Sequence, residues 1–216
     1  MPVTRKGVDR GGARGRARAS LLLSPAPEGP PMTSTDPGAT AAPRPRIRTA
    51  RAEDLAGVGA IREHAIRTST GLWTDELPTP AQLEAWFREH LDRGAMLVAV
   101  GPTVAGAEGA GAEEIVLGYA SYGPLVPKNG YRFTAENSVY LRPEAQGRGL
   151  GTALLGALLD LCREHGMHSV VALVEAGNTA SIRLHERFGF VEAWRLVEAG
   201  WKFDRWWDLV HLQLRL

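Results

Sequence analysis

The chain has 216 residues and only one cysteine, Cys162. It can form no intrachain disulfide, and a cysteine-rich zinc site is excluded. Such cysteine usage suits a reducing, cytoplasmic compartment. Long apolar runs are missing as well. The longest stretches, such as Leu21 to Leu23, fall far short of the ~18 residues a membrane span needs. Internal repeats are absent. With 44% hydrophobic and 23% charged residues, what remains is an ordinary globular composition, large enough for one domain plus a tail.

The net charge of +1 conceals an asymmetry. Residues 1–48 hold nine Lys/Arg and three Asp/Glu, a net of +6, so the remaining sixteen and twenty-one leave the body at −5. An acidic body argues against nucleic-acid binding by the folded part. Residues 1–45 are rich in Pro, Gly, Ala and Arg with few large apolar side chains, and read as a disordered basic arm. Three readings compete for it: a nucleic-acid tail built on Gly11 to Arg18, a targeting segment, or an extension upstream of a start at Met32. A dispensable tail is favoured, because the apolar part is well below the ~7–15 residues of a signal core.

The body, residues 46–216, alternates strand and helix patterns. Ile47–Ala50 reads as a strand. Glu53–Ser69 follows as a helix with Leu55, Val58, Ile61, Ala65 and Ile66 on one face. Thr79-Pro80 opens a second helix that runs to Asp92. Strands are predicted over Met96–Val100, Ile115–Tyr122 and Thr134–Leu141, with a Gly/Ala-rich hairpin loop over Gly101–Gly111. Gly149–His165 is a helix striped by Leu150, Leu154, Leu158 and Leu161. A buried strand over Ser169–Val174, a helix over Asn178–Phe188 ended by Gly189, and strands over Phe190–Val197 and Trp207–Leu216 complete the order. This pattern predicts an α/β fold, a mixed sheet with helices on both faces.

The most specific motif is Gln146-Gly147-Arg148-Gly149-Leu150-Gly151-Thr152, between a strand end and the Leu-striped helix. Glycines there let backbone N–H groups converge on an anion, and the helix N-terminus adds partial positive charge. The lysine of a Walker loop is missing, and the dinucleotide pattern fails because its third glycine falls at Thr152.

Gln-x-x-Gly-x-Gly resembles the pyrophosphate loop of the GNAT N-acetyltransferases. The resemblance runs from about Ile47 to Leu216. It is nearest to the phosphinothricin and methionine sulfone/sulfoximine acetyltransferases. It is carried by Gly130-Tyr-Arg-Phe-Thr-Ala-Glu-Asn-Ser-Val-Tyr140, Glu175-Ala-Gly-Asn178, Ser181-Ile-Arg-Leu-His-Glu-Arg-Phe-Gly-Phe190 and Gly200-Trp-Lys-Phe-Asp-Arg-Trp-Trp-Asp208. It implies the GNAT fold, with a splayed pair of parallel strands, Val139–Leu141 and Val170–Val174. It also implies acetyl-coenzyme A in the gap, held by the backbone of Val139, Tyr140 and Leu141, by Gln146, Gly147, Arg148, Gly149, Leu150, Gly151 and Thr152, and by Asn178. A homodimer is implied too.

Acetyl transfer requires a base for the ammonium and stabilisation of the leaving thiolate. The resemblance makes Glu136 the base and His185 a second candidate, as hydrogen-bond donor to the thiolate or second base, with Tyr140 as a spare donor. Trp73, Lys128, Arg132, Phe133 and Lys202 are the expected substrate contacts, Arg132 and Lys202 through an amino-acid carboxylate. Cys162 reads as core. His165 and His168 have no partners at metal-ligand spacing, so no metal is expected. The expected function is acetyl transfer to the α-amine of a small amino acid or analogue. Other amines, such as aminoglycosides, polyamines or protein N-termini, and a non-catalytic acyl-coenzyme A sensor are the alternatives. Val126-Pro127-Lys128-Asn129 departs from the family's aromatic and acidic character there.

Overall fold

The computed structural model describes residues 45–102 and 114–216. The basic arm, the possible start at Met32 and most of the Gly/Ala-rich hairpin loop lie outside them.

Seven strands form one sheet: β1 (Arg46–Thr49), β2 (Met96–Pro102), β3 (Glu114–Pro124), β4 (Thr134–Leu141), β5 (Ser169–Glu175), β6 (Val191–Lys202) and β7 (Arg205–Arg215), in the order β1-β2-β3-β4-β5-β7-β6. All neighbours are antiparallel except β4 and β5. The parallel ladder joins Thr134 to Ser169, Ala135 to Val170 and Glu136 to Val171, and goes no further. Beyond Glu136, β4 stays paired with β3 up to Leu141, while β5 stays paired with β7 up to Glu175. The sheet therefore opens between the C-terminal halves of β4 and β5, as the splayed pair required.

Helices α1 (Leu55–Thr68) and α2 (Pro80–Asp92) cover one face. Val58 and Ile61 of α1 and Phe87 of α2 pack on Met96, Val98, Val100, Val116 and Tyr119. α2 begins as its sequence requires: Thr79 caps the amide of Gln82, Gln82 returns the bond to Thr79, and Pro80 fills the first turn. Helices α3 (Leu150–Glu164) and α4 (Thr179–Glu186) lie on the other face. On α3, Leu150, Leu154, Leu155, Leu158, Leu159 and Cys162 are buried against Leu117, Ala135, Val170, Ala172 and Leu212. The buried stripe drifts around the helix, which leaves Leu161 only half-buried and puts Cys162 in the core. There, burial pushes the Cys162 thiol up to about 12, so it stays a protonated packing group.

The last hairpin is longer than its pattern suggested. β6 continues through the bulged stretch between Leu196 and Gly200, and the chain turns at Phe203 and Asp204, both with positive φ. No helix among the described residues is long and apolar enough to cross a membrane.

Candidate active site

β4 organises the site because its side chains alternate between the two helical layers. Val139 and Leu141 pack into the α3 layer. Glu136, Ser138 and Tyr140 face the α1 side, where the Tyr140 ring lies 5.3 Å from that of Tyr119. Glu136 is half-buried at the point where the parallel ladder ends. Burial raises its carboxyl above the ordinary carboxylate range. A poised carboxylate at the mouth of an opened sheet has the electrostatics of a general base.

His185 occupies the opposite face. It is buried, edge-on to Phe190 at 5.0 Å. Its Nδ1 lies 2.8 Å from the Ser181 carbonyl, and its Nε2 lies 3.0 Å from Nδ2 of Asn137. A carbonyl only accepts, so Nδ1 carries the proton and Nε2 accepts from the Asn137 amide. Burial lowers the imidazole's affinity for a second proton, in keeping with this neutral form. Among the described residues Asn137 Oδ1 is buried with no hydrogen-bond partner. Sequence reasoning missed Asn137, although its place one residue after Glu136 put it on the α4 face by simple alternation.

Tyr140 is committed elsewhere. Its hydroxyl donates to the Gly71 carbonyl at 2.7 Å, and burial raises its affinity for its proton further. A free proton donor at this position is therefore not what the structure holds.

The glycine-rich loop leads into α3. Gly147 and Gly149 have φ of +72° and +79°, and a Cβ on either would meet nothing within 4 Å. These glycines are required by backbone conformation, while the loop surface stays open. Gln146, Gly147, Arg148 and Gly149 are exposed, whereas the Leu150 side chain is anchored in the core. The first intrahelical bond runs from Ala153 N–H to the Gly149 carbonyl. The amides of Leu150, Gly151 and Thr152 belong to the first turn, whose donors an α-helix leaves free. Together with the peptide edge of β4 beyond Glu136, these residues fit a pyrophosphate attached to an extended arm. Asn178 is at the far side of the gap, where its side-chain oxygen caps α4 by accepting from Ser181 N–H at 3.0 Å.

The expected substrate contacts separate into groups. Lys128, Arg132 and Phe133 are exposed and precede β4, at the end where β4 and β5 remain paired. The Arg132 guanidinium stacks 4.5 Å over the Phe133 ring and donates to the Asn129 carbonyl. Trp73 lies instead on the hairpin, against Gly200. Lys202 differs from its expected role as a carboxylate ligand. It is 4% exposed, and its ammonium donates to the carbonyls of Ser69 and Leu72, each at 2.7 Å. The alternation of β6 turns Lys202 inward while Trp201 and Phe203 remain exposed. Tyr140, Thr70, Glu175 and Gly200 form the rest of this layer, and no sequence motif pointed to the contacts among them.

A hollow of about 560 Å³ lies elsewhere, lined by Leu55, Gly59, Arg62, Leu77 and Leu83, and includes none of the residues above. Among the described residues no group of three or more His, Cys, Asp or Glu is placed to hold a metal.

The pattern of the Acetyltransferase (GNAT) family matches residues 59–190. The chain belongs to the GNAT acetyltransferase family. An L-methionine sulfoximine/L-methionine sulfone acetyltransferase of Pseudomonas paraeruginosa is 41% identical over 170 residues, spanning 79% of this chain and 94% of its own. A phosphinothricin N-acetyltransferase of Alcaligenes faecalis is 37% identical over 168 residues, or 77% and 80% of the two chains. A Salmonella typhimurium protein solved with its cofactor acetyl-CoA superposes with a TM-score of 0.71 at 36% identity, over 80% of this chain and 94% of that one. These likenesses cover 77–80% of this GNAT chain.

Proposed function

We propose that this chain transfers acetyl from acetyl-CoA to the α-amine of a small amino acid or analogue of the methionine sulfoximine, methionine sulfone or phosphinothricin type. Transfer is direct, within a ternary complex. The observation that carries the reading is Glu136: a half-buried carboxylate with raised proton affinity, standing where β4 and β5 part. The relatives described above supply the substrate class.

Acetyl-CoA supplies a thioester, whose carbonyl carbon the amine attacks. A C–N bond forms, the C–S bond breaks, and the thiolate leaves with the electron pair and takes up the second amine proton, giving the amide and coenzyme A. Glu136 takes the ammonium proton before attack, directly or through a water. The peptide groups of Val139, Tyr140 and Leu141 hold the pantetheine arm as an added strand. Residues Gln146 to Thr152 hold the pyrophosphate, and Asn178 borders the gap from the end of β5. His185, neutral and bonded to Asn137, shapes the α4 side of the gap. Trp73, and from the other end of β4 Lys128, Arg132 and Phe133, surround the acceptor.

A homodimer is part of this reading. β6 is an edge strand whose Val191, Trp194, Val197 and Trp201 are all more than half exposed, and such an edge calls for a partner. Cytoplasmic residence is part of this reading too, supported by the coenzyme A chemistry and the single buried thiol.

The test is coenzyme A release with phosphinothricin, methionine sulfoximine, methionine sulfone, standard amino acids and spermidine, for the wild type and Glu136→Gln. Turnover of an amino-acid analogue that the substitution abolishes supports the reading. Acetyl-CoA binding without turnover of any amino acid overturns it.

A further inference from the structure

The segment Ser69–Trp73, which follows α1, is pinned at four points. The Tyr140 hydroxyl, from β4, donates to the Gly71 carbonyl at 2.7 Å. Thr70 Oγ1 donates to Glu175 Oε2, at the end of β5, at 3.4 Å. The Trp73 ring lies on Gly200 of β6 so closely that a Cβ built there would be 1.9 Å from its Cε3. Lys202, also of β6, donates to both Ser69 and Leu72. Tyr140 and Glu175 are the far ends of the two strands that part after Glu136. The segment therefore bridges the open end of the gap on the Glu136 side, as a roof.

Lys202 makes two of these four hydrogen bonds. Ser69, the C-cap of α1, and Leu72, three residues further along the loop, each present a carbonyl to the ammonium. A lysine ammonium has three donors and here satisfies both carbonyls at once. Burial lowers the proton affinity of the Lys202 amine, and the charge of Asp75, two residues past the segment, acts in the opposite sense. Tyr140 and Thr70 each make a single bond, and Gly200 makes none, serving as a floor for Trp73.

We infer that Lys202 is a positioning residue for the acceptor: it fixes Ser69–Trp73 over the mouth of the β4–β5 gap, and does not itself contact the substrate carboxylate. This rests on the proposed reaction for the acceptor's identity, but the placement of the roof stands on geometry alone.

The test compares the full-length wild type with Lys202→Met and Lys202→Arg. Hydrogen exchange is read over residues 69–76, with the α3 core amides Leu154–Leu159 as the internal control. In Lys202→Met the roof amides are expected to exchange about tenfold faster while the α3 amides do not change, with recovery toward wild type in Lys202→Arg. KM for the amine should rise about tenfold, while kcat and KM for acetyl-CoA stay within about twofold. The effect should persist when the amino acid is replaced by its methyl ester. Unchanged roof exchange in Lys202→Met overturns the inference. So does loss of the KM effect on the ester, because that outcome makes Lys202 a direct carboxylate ligand. If Lys202→Met does not fold, Lys202→Leu is read in its place by the same exchange measurement, and unchanged roof exchange there overturns the inference. A wild type inactive on every amino acid would defeat the proposed substrate class, and the exchange measurement would still decide the role of Lys202.

Discussion

Asn137 donates its side-chain amide to Nε2 of His185 at 3.0 Å, on the face of β4 opposite Glu136. Two neighbouring residues of one strand thus serve different layers. Glu136 faces the α1 side, and Asn137 holds the imidazole on the α4 side. Removing the Asn137 amide leaves a buried ring nitrogen unpaired, which costs about 1–3 kcal/mol. Asn137→Ala is therefore expected to be destabilised by that amount in chemical denaturation. A double-mutant cycle with His185→Ala should show coupling between the two sites; strictly additive losses would contradict the bond.

Glu136 carries opposite consequences for stability and for turnover. Its folded-state proton affinity is raised, so its contribution to stability is present below the ordinary carboxylate range and is lost as pH rises through the folded value. At neutral pH the charge is a burden. Glu136→Gln is expected to melt higher than wild type at pH 7 while kcat falls about 10²–10⁴-fold. The acidic limb of the wild-type kcat/KM profile should vanish in the residual activity. A variant with a lower melting temperature and the same limb would assign that limb to another group.

His185 runs the other way. Its proton affinity is lowered, so its contribution is complete above the ordinary imidazole range and is lost as pH falls through the folded value. Because the neutral ring is held by Ser181 and Asn137, His185→Gln is expected to leave the Glu136 limb in place. A shift of that limb by more than about one unit would show that His185 takes part in the titration.

Gly149 caps α3 in the left-handed region, at φ +79°. Alanine there meets open space, so its cost is conformational, about 1–2 kcal/mol. Gly149→Ala is expected to weaken acetyl-CoA binding in calorimetry by turning the first-turn amides away, with little change in KM for the amine. Unaltered acetyl-CoA affinity would remove the loop from the pyrophosphate site.

The β6 edge offers a test of assembly. Val197 is 72% exposed, and Val197→Lys puts a charge on the apolar edge. Light scattering is expected to show a dimer for wild type and a monomer for the variant; a monomeric wild type would reject the dimer.

The order of strands and helices was legible because each element carries its own period and its own stop signal, as with Thr79-Pro80 before α2 and Gly189 after α4. The conformation of the glycine-rich loop was legible because glycine reports backbone directly: Gly147 and Gly149 both have positive φ. The hairpin turn was not, because Phe203 and Asp204 adopt positive φ without glycine, and Gly200 reads as a breaker when it is a floor for Trp73. The burial of Lys202, in a stretch with exposed tryptophans on either side, was not legible either. Only the register of β6 shows that it points inward. The partners of Tyr140 and Lys202 are separated from them by 69 to 133 positions, and no local pattern encodes such contacts.

The parting of β4 from β5 also bears on how such a protein diversifies. Past Glu136 the exposed grip is made of peptide groups, which are the same whichever amino acids carry them. Under the proposed reading the donor is recognised by main chain and the acceptor by side chains. Selection can then exchange residues in the roof and around Trp73 for a new amine without disturbing the hold on the acetyl carrier. One inherited scaffold can serve a succession of acceptors at a constant donor.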